Sequence, residues 1–149
     1  MTRTTDFLMN LRRIIKLHET LLKNICEEYG LTLIEANIIS FLYNNPGLDT
    51  ARDIVELRML SKGNVSQAVE LLIQKSLLKR TPDRTDRRVI HLTLLPSSHP
   101  ITKAIEDSRI CFQEELFSGF TSEERQLYHQ LNGKIIENTK AAMKRRELS

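Results

Sequence analysis

A chain of 149 residues, 40% apolar and 28% charged, fits one domain with an ordinary buried core; a disordered or disulfide-dependent chain is excluded. The formal net charge of +3 is too small to identify a partner. Its distribution says more: from Arg52 to His91 nine Lys/Arg stand against five Asp/Glu, a local +4 that leaves the remainder near −1.

The opening "MTRTTDFLMNLRR" lacks an apolar core of signal-peptide length, and no run approaches the ~20 residues that span a bilayer. A cytoplasmic protein with no membrane partner is therefore expected. With 5 Gly and 4 Pro against many Leu, Ile, Glu and Lys, the chain leans helical. Thr4 or Thr5 can cap a first helix whose apolar positions run Phe7, Leu8, Leu11, Ile14, Ile15, Leu21, Leu22, Ile25, Tyr29. Gly30 ends it, being tolerant of the left-handed conformation. Cys26 on this helix and Cys111 much later match no metal or redox spacing, so two buried thiols in a reducing compartment are expected.

Thr32 and Glu35 form a capping box ahead of Ile34, Ile38, Ile39 and Leu42, and "NNPG" at 44–47 is a turn. Thr50 and Asp53 start a short third helix with Ile54, Val55 and Leu57 on its apolar side. Ser61 caps "KGNVSQAVELLIQKS", whose inward positions are Val65, Val69, Leu72 and Ile73. Leu77–Thr81 and Val89–Leu94 then read as two strands around an arginine-rich turn. After "PSSHP", one long helix carries Ile101, Ile105, Phe112, Leu116 and Phe117. Another opens with a Thr121–Glu124 capping box and carries Leu127, Leu131, Ile135, Ile136 and Met143.

Three short helices followed by a hairpin, in a mainly α chain, spell a winged helix-turn-helix. On the Ser61 helix the outward residues Gly63, Asn64, Ser66 and Gln67 are small, hydroxyl- or amide-bearing. Amides pair with base edges in a major groove wide enough for a helix. Lys62 and the helix N-terminus favour a phosphate. A solvated surface helix would more often carry Glu and Lys there. The turn "TPDRTDRRVIHL" adds Arg84, Arg87 and Arg88, suited to a narrow minor groove that concentrates negative potential. Asp83 and Asp86 read as braces, since a nearby carboxylate can hold a guanidinium by bidentate contact.

On "LTLIEANIISFL", "SKGNVSQAVELLIQKSLLKR" and "DRTDRRVIHLTLL", the sequence resembles the MarR family of winged helix-turn-helix bacterial transcription regulators. The resemblance implies a single domain over 1–149. Its DNA-binding lobe would occupy 32–95, and its dimerisation helices 5–29 and 97–146. It further implies that Asp86 braces the wing while Arg88 enters the minor groove. Gly63, Asn64, Ser66 and Gln67 would approach the major groove of a pseudo-palindromic operator bound by a homodimer, with a small ligand as the releasing signal. Two departures stand out: Ser76 occupies the family's usual glycine at the end of the reading helix, and "LTLLPSSHP" replaces its usual exit from the wing. Pro96 and Pro100 are expected to stiffen or re-aim that exit.

A ligand cleft is expected near Leu17, Leu21 and Phe112. His18, Glu19 and Cys26 share a helix without the tight pairing a metal needs, and no cofactor is implied. The histidines His18, His91, His99 and His129 are scattered, and no phosphate loop or nucleophile motif appears, so an enzyme is not expected. The competing class is a winged helix used for protein–protein contacts without specific DNA binding, against which Asn64 and Gln67 argue.

Overall fold

Hydroxyl caps set most helix starts. In the computed structural model, which describes residues 1–147, Thr2, Thr32, Thr50, Ser61 and Thr121 each accept a backbone N–H three residues on. They open α1 (Arg3–Tyr29), α2 (Leu33–Asn44), α3 (Ala51–Arg58), α4 (Lys62–Gln74) and, after α5 (His99–Leu116), α6 (Ser122–Arg145). At α2, α3 and α6 the third helical residue, Glu35, Asp53 or Glu124, reaches back to the cap N–H and completes a capping box. The first helix starts earlier than expected from Thr4 or Thr5, because the Thr2 side chain takes the Thr5 N–H at 3.1 Å. Residues 148 and 149, the end of the expected 1–149 span, lie outside the described residues.

Gly30 closes α1 in the left-handed region at φ 65°. Ser76 adopts that conformation too, at φ 59°, where a non-glycine residue costs roughly 1 kcal/mol. Its carbonyl accepts from the Ser97 hydroxyl, which ties the end of α4 to the exit from the wing.

Strands β1 (Leu78–Pro82) and β2 (Ile90–Leu94) pair antiparallel, Leu78 opposite Leu94 and Pro82 opposite Ile90. Each begins one residue later than the sequence pattern suggested, because Leu77 and Val89 serve the flanking turns. Leu77 still binds Leu95 N across the base of the wing. Pro96 opens a 3-10 turn, Pro96–Ser98, that runs directly into α5. The buried Ser98 hydroxyl donates to Leu95 O at 2.7 Å, so the Pro96/Pro100 stretch is a hydrogen-bonded corner.

Residues Met1–Phe112 form one compact unit and the chain from Gln113 another. The first holds the core: Leu22 and Ile25 of α1, Ile38 and Ile39 of α2, Ile54 of α3, Val65 and Leu72 of α4, Leu78, Leu92, Ile101 and Ile105. Full burial of each such side chain stabilises by roughly 1.5–3 kcal/mol. Val55 is only half-buried, and Leu57, expected on the apolar side of α3, is 57% exposed: the eight-residue helix has room for one inward stripe, which Ile54 takes. In the second unit Phe117, just past the end of α5, packs edge-on against Phe120 and Tyr128 at 5.4 Å, and the Arg125 guanidinium lies 4.6 Å over its ring. No described residue of α6 is buried.

Candidate nucleic-acid interface

The residues proposed from sequence for the major groove lie on one exposed surface at the start of α4. Ser61 caps the helix, while Val65, Ala68, Val69 and Leu72 anchor it, which turns Lys62, Gly63, Asn64, Ser66 and Gln67 outward. A methyl group added at Gly63 would meet nothing within 4 Å, so its lack of a side chain fills no internal need. The far end of α4 is pinned. Lys75 Nζ donates to both Glu35 carboxylate oxygens, at 3.0 and 2.8 Å, and to Gly30 O at 2.9 Å. Burial would push the Glu35 carboxyl up, but Lys75 and the Thr32 N–H outweigh it and hold the group below the ordinary carboxylate value. A second tie runs from Glu70 on α4 to Arg80 on β1.

The wing tip is built from carboxylates. Asp83 Oδ2 accepts from Thr85 N at 3.1 Å, the Thr85 hydroxyl at 2.9 Å and Asp86 N at 3.0 Å. Asp86 accepts Arg88 Nε at 3.2 Å and Nη2 at 3.3 Å on its two oxygens, and Arg88 N at 3.0 Å. Those bonds hold the Asp86 carboxyl below its ordinary value. Arg88 is thus held at its base and side chain while 91% of its side-chain surface faces solvent. Arg84 and Arg87 are exposed and have no carboxylate partner among the described residues.

Asp83, expected to hold a guanidinium, does not. Its Oδ1 instead meets His91 Nε2 at 2.7 Å, and His91 Nδ1 meets Asp49 Oδ1 at 2.7 Å. The bond from Asp49, first, and that from Asp83 push the imidazole above its ordinary value; His91 in turn holds Asp83 far below the usual carboxylate range. Leu92 N also donates to Asp49 O at 2.8 Å, so the loop before α3 lies along β2. Sequence reasoning treated His91 as a scattered histidine. Its outward position on β2, opposite Thr81, was the available signal.

Within the first unit a cleft of about 510 Å³ lies beside α1, lined by Ile14, His18, Asn37, Arg58, Leu60 and Phe112 among others. Leu17 and Leu21, expected to line it, do not: both are half-buried one helical step away, and His18 turns to the cleft instead. His18 packs edge-on against Phe112 at 5.3 Å, and burial, then Arg58, lowers its pKa. Cys26 is buried and bonds to Thr32 O at 3.6 Å; burial, then Glu35, raises its pKa, the opposite of what a reactive thiol needs. Cys111 is only half-buried, contrary to expectation. Among the described residues no His, Cys, Asp or Glu group could hold a metal, and no helix is long and apolar enough to cross a membrane.

Comparison with known proteins identifies this architecture. The MarR family profile matches residues 29–89, from the end of α1 to the wing. An uncharacterized HTH-type transcriptional regulator of Bacillus subtilis, YsmB, is 22% identical over 125 residues, covering 84% of this chain and 85% of YsmB. The S. aureus MepR–DNA complex superposes with a TM-score of 0.69 at 21% identity, covering 93% of this chain and 98% of that one. BpsR of Bordetella bronchiseptica, whose DNA binding is regulated by 6-hydroxynicotinic acid, superposes at 0.65 with 22% identity, covering 87% and 98%. Such proteins are regulators rather than enzymes, and the winged-helix lobe of this chain, residues 29–89, is what matches the MarR family.

Proposed function

We propose that the chain is a repressor that binds a pseudo-palindromic operator as a homodimer and is released by a small ligand. The observation that carries the DNA part is the pairing of Asp86 with Arg88: a guanidinium fixed by two bonds yet facing solvent, on the same lobe as the amide-bearing surface of α4. Asn64 and Gln67 take base edges in the major groove, Lys62 and the α4 N-terminus take a phosphate, and Arg84, Arg87 and Arg88 take the adjoining minor groove. The MepR–DNA complex, with the same fold, supports that reading.

The dimer rests on unsatisfied apolar surface. Phe7, Leu8, Leu11 and Ile15 of α1 and Leu127, Leu131, Ile135 and Ile136 of α6 are each about half exposed or close to it. Patches of this kind mark interfaces, and most soluble oligomers are symmetric. Two copies then present two α4 helices, about one helical turn or ~10 base pairs apart, to one face of the duplex. The ligand site is the cleft beside α1. Arg58, held below its ordinary pKa by burial, offers charge to an anion; Phe112 and Leu60 offer apolar walls. Selection of bound fragments from genomic DNA, followed by footprinting, tests the whole: paired half-sites are expected, and equal affinity for every sequence would contradict it.

A further inference from the structure

His91 stands at the root of the wing with both ring nitrogens 2.7 Å from a carboxylate oxygen. A neutral imidazole carries one N–H and one lone pair, so it can donate to only one of two carboxylates; the other contact would set lone pair against lone pair. Only the imidazolium donates to both. The two acceptors belong to different parts of the lobe, Asp49 to the loop between α2 and α3, Asp83 to the wing. Asp83 also holds the turn that seats Thr85 and Asp86, and Asp86 holds Arg88. A continuous chain of charge-assisted bonds therefore runs from the body of the lobe to the tip arginine.

We infer that His91 is a positioning residue: as the imidazolium it locks the arginine-bearing wing tip to the lobe, so the wing loosens, and its grip on DNA weakens, when that proton is lost. The DNA half of this inference rests on the function proposed above; the wing half does not. The charged groups acting on His91 are Asp49 from the α2–α3 loop and Asp83 from the wing; across the hairpin it faces the uncharged Thr81 on β1, and no charged group of α2 or α3 among the described residues acts on it. The sign follows. The folded imidazole titrates above its ordinary 6.5, so the lock is complete below that value and is lost as pH rises through the raised one. Asp83 titrates below its ordinary 3.8, so its contribution is present above that value and is lost only in strong acid. Both bonds stand together between those two limits.

Asp83→Asn separates the lock from mere structure. The amide oxygen can keep the turn bonds to Thr85 and Asp86, while the amide nitrogen donates to a neutral His91 that still donates to Asp49. Long-range proton–nitrogen NMR of the full chain, with His91→Gln to assign the ring, reads the protonation state directly. Amide exchange at Thr85, Asp86 and Val89 reads the wing, and anisotropy with a random duplex of about 25 base pairs, at fixed ionic strength, reads DNA. Both ring nitrogens of the natural chain should carry protons at neutral pH. The three amides should lose protection in step with the ring titration, and duplex affinity should fall about fivefold across the same window. Asp83→Asn should keep wing protection and show no step. A ring with a single proton at neutral pH, wing amides indifferent to its titration, or an unchanged step in Asp83→Asn would overturn the lock. If the wing follows the titration but no duplex binds at any pH, the lock stands and the DNA reading fails.

Discussion

The unit Met1–Phe112 and the chain from Gln113 onward use apolar residues in opposite ways. The first folds them inward: eleven of its core side chains come from four helices, both strands and the start of α5, and Ile38, Ile39, Ile54 and Leu72 have no accessible surface. The second leaves Leu127, Leu131, Ile135 and Ile136 roughly half in water along α6, and its ring cluster around Phe117 is itself partly exposed. Outside that core, the first region still leaves Phe7, Leu8, Leu11 and Ile15 of α1 exposed. The second carries a helix of 24 residues that touches Phe117 through Tyr128 and Arg125 yet has no buried residue among those described, and helices of that kind depend on tertiary partners for stability. The contrast sets side chains that build the core under the proposed DNA-facing surface against side chains left for the proposed second copy to cover.

The largest effect that could break this contrast is on assembly. Leu131→Asp with Ile135→Asp places two charges in the surface assigned to the partner. Light scattering should fall from about twice the 17.3 kDa chain mass to that of one chain, while the lobe retains its helical signal. An unaltered dimer would show that α6 is an ordinary solvated helix. Next comes Glu35→Ala, which removes one half of a capping box and strands Lys75 at the end of α4. A loss of about 2–4 kcal/mol is expected from urea unfolding, since the carboxylate is fully buried and paired. Because the Glu35 carboxyl is held below its ordinary 4.5, this contribution is present above that value and lost as pH falls through the folded one, so natural and variant chains should converge in acid. The smallest effect is at Gly63. Alanine there meets no neighbour and favours a helix, so stability should rise by about 0.5 kcal/mol. If the backbone at Gly63 approaches a groove, operator affinity should nonetheless drop; a variant that gains stability and keeps full affinity would remove Gly63 from the interface.

The sequence was legible where structure is local. Hydroxyl and carboxylate three residues apart announce the boxes at Thr32–Glu35, Thr50–Asp53 and Thr121–Glu124, and Gly30 announces the end of α1, because cap bonds close within one turn. The Asp86–Arg88 pair was legible for the same reason, two residues apart. Leu57 was misplaced because periodicity over eight residues does not fix which side of a short helix faces inward. The ties made across the fold were invisible: His91 to Asp49 spans 42 residues and Lys75 to Glu35 spans 40. Asp83 shows how local reasoning fails when a distant partner competes. An arginine stood beside it in the chain, but the histidine brought up by β2 took its carboxylate.

The most direct test of the wing account is Asp86→Ala, measured with Arg88→Ala across a salt series by fluorescence anisotropy on the selected operator. Removing a carboxylate near DNA should tighten binding if charge alone matters, since repulsion from the phosphates is lost. Because Asp86 holds both the backbone and guanidinium of Arg88, the account predicts weaker binding by about 1 kcal/mol, with a salt slope intermediate between the natural chain and Arg88→Ala. Tighter binding by Asp86→Ala at every salt concentration would contradict it, leaving the wing arginines as a cluster of charge without imposed geometry.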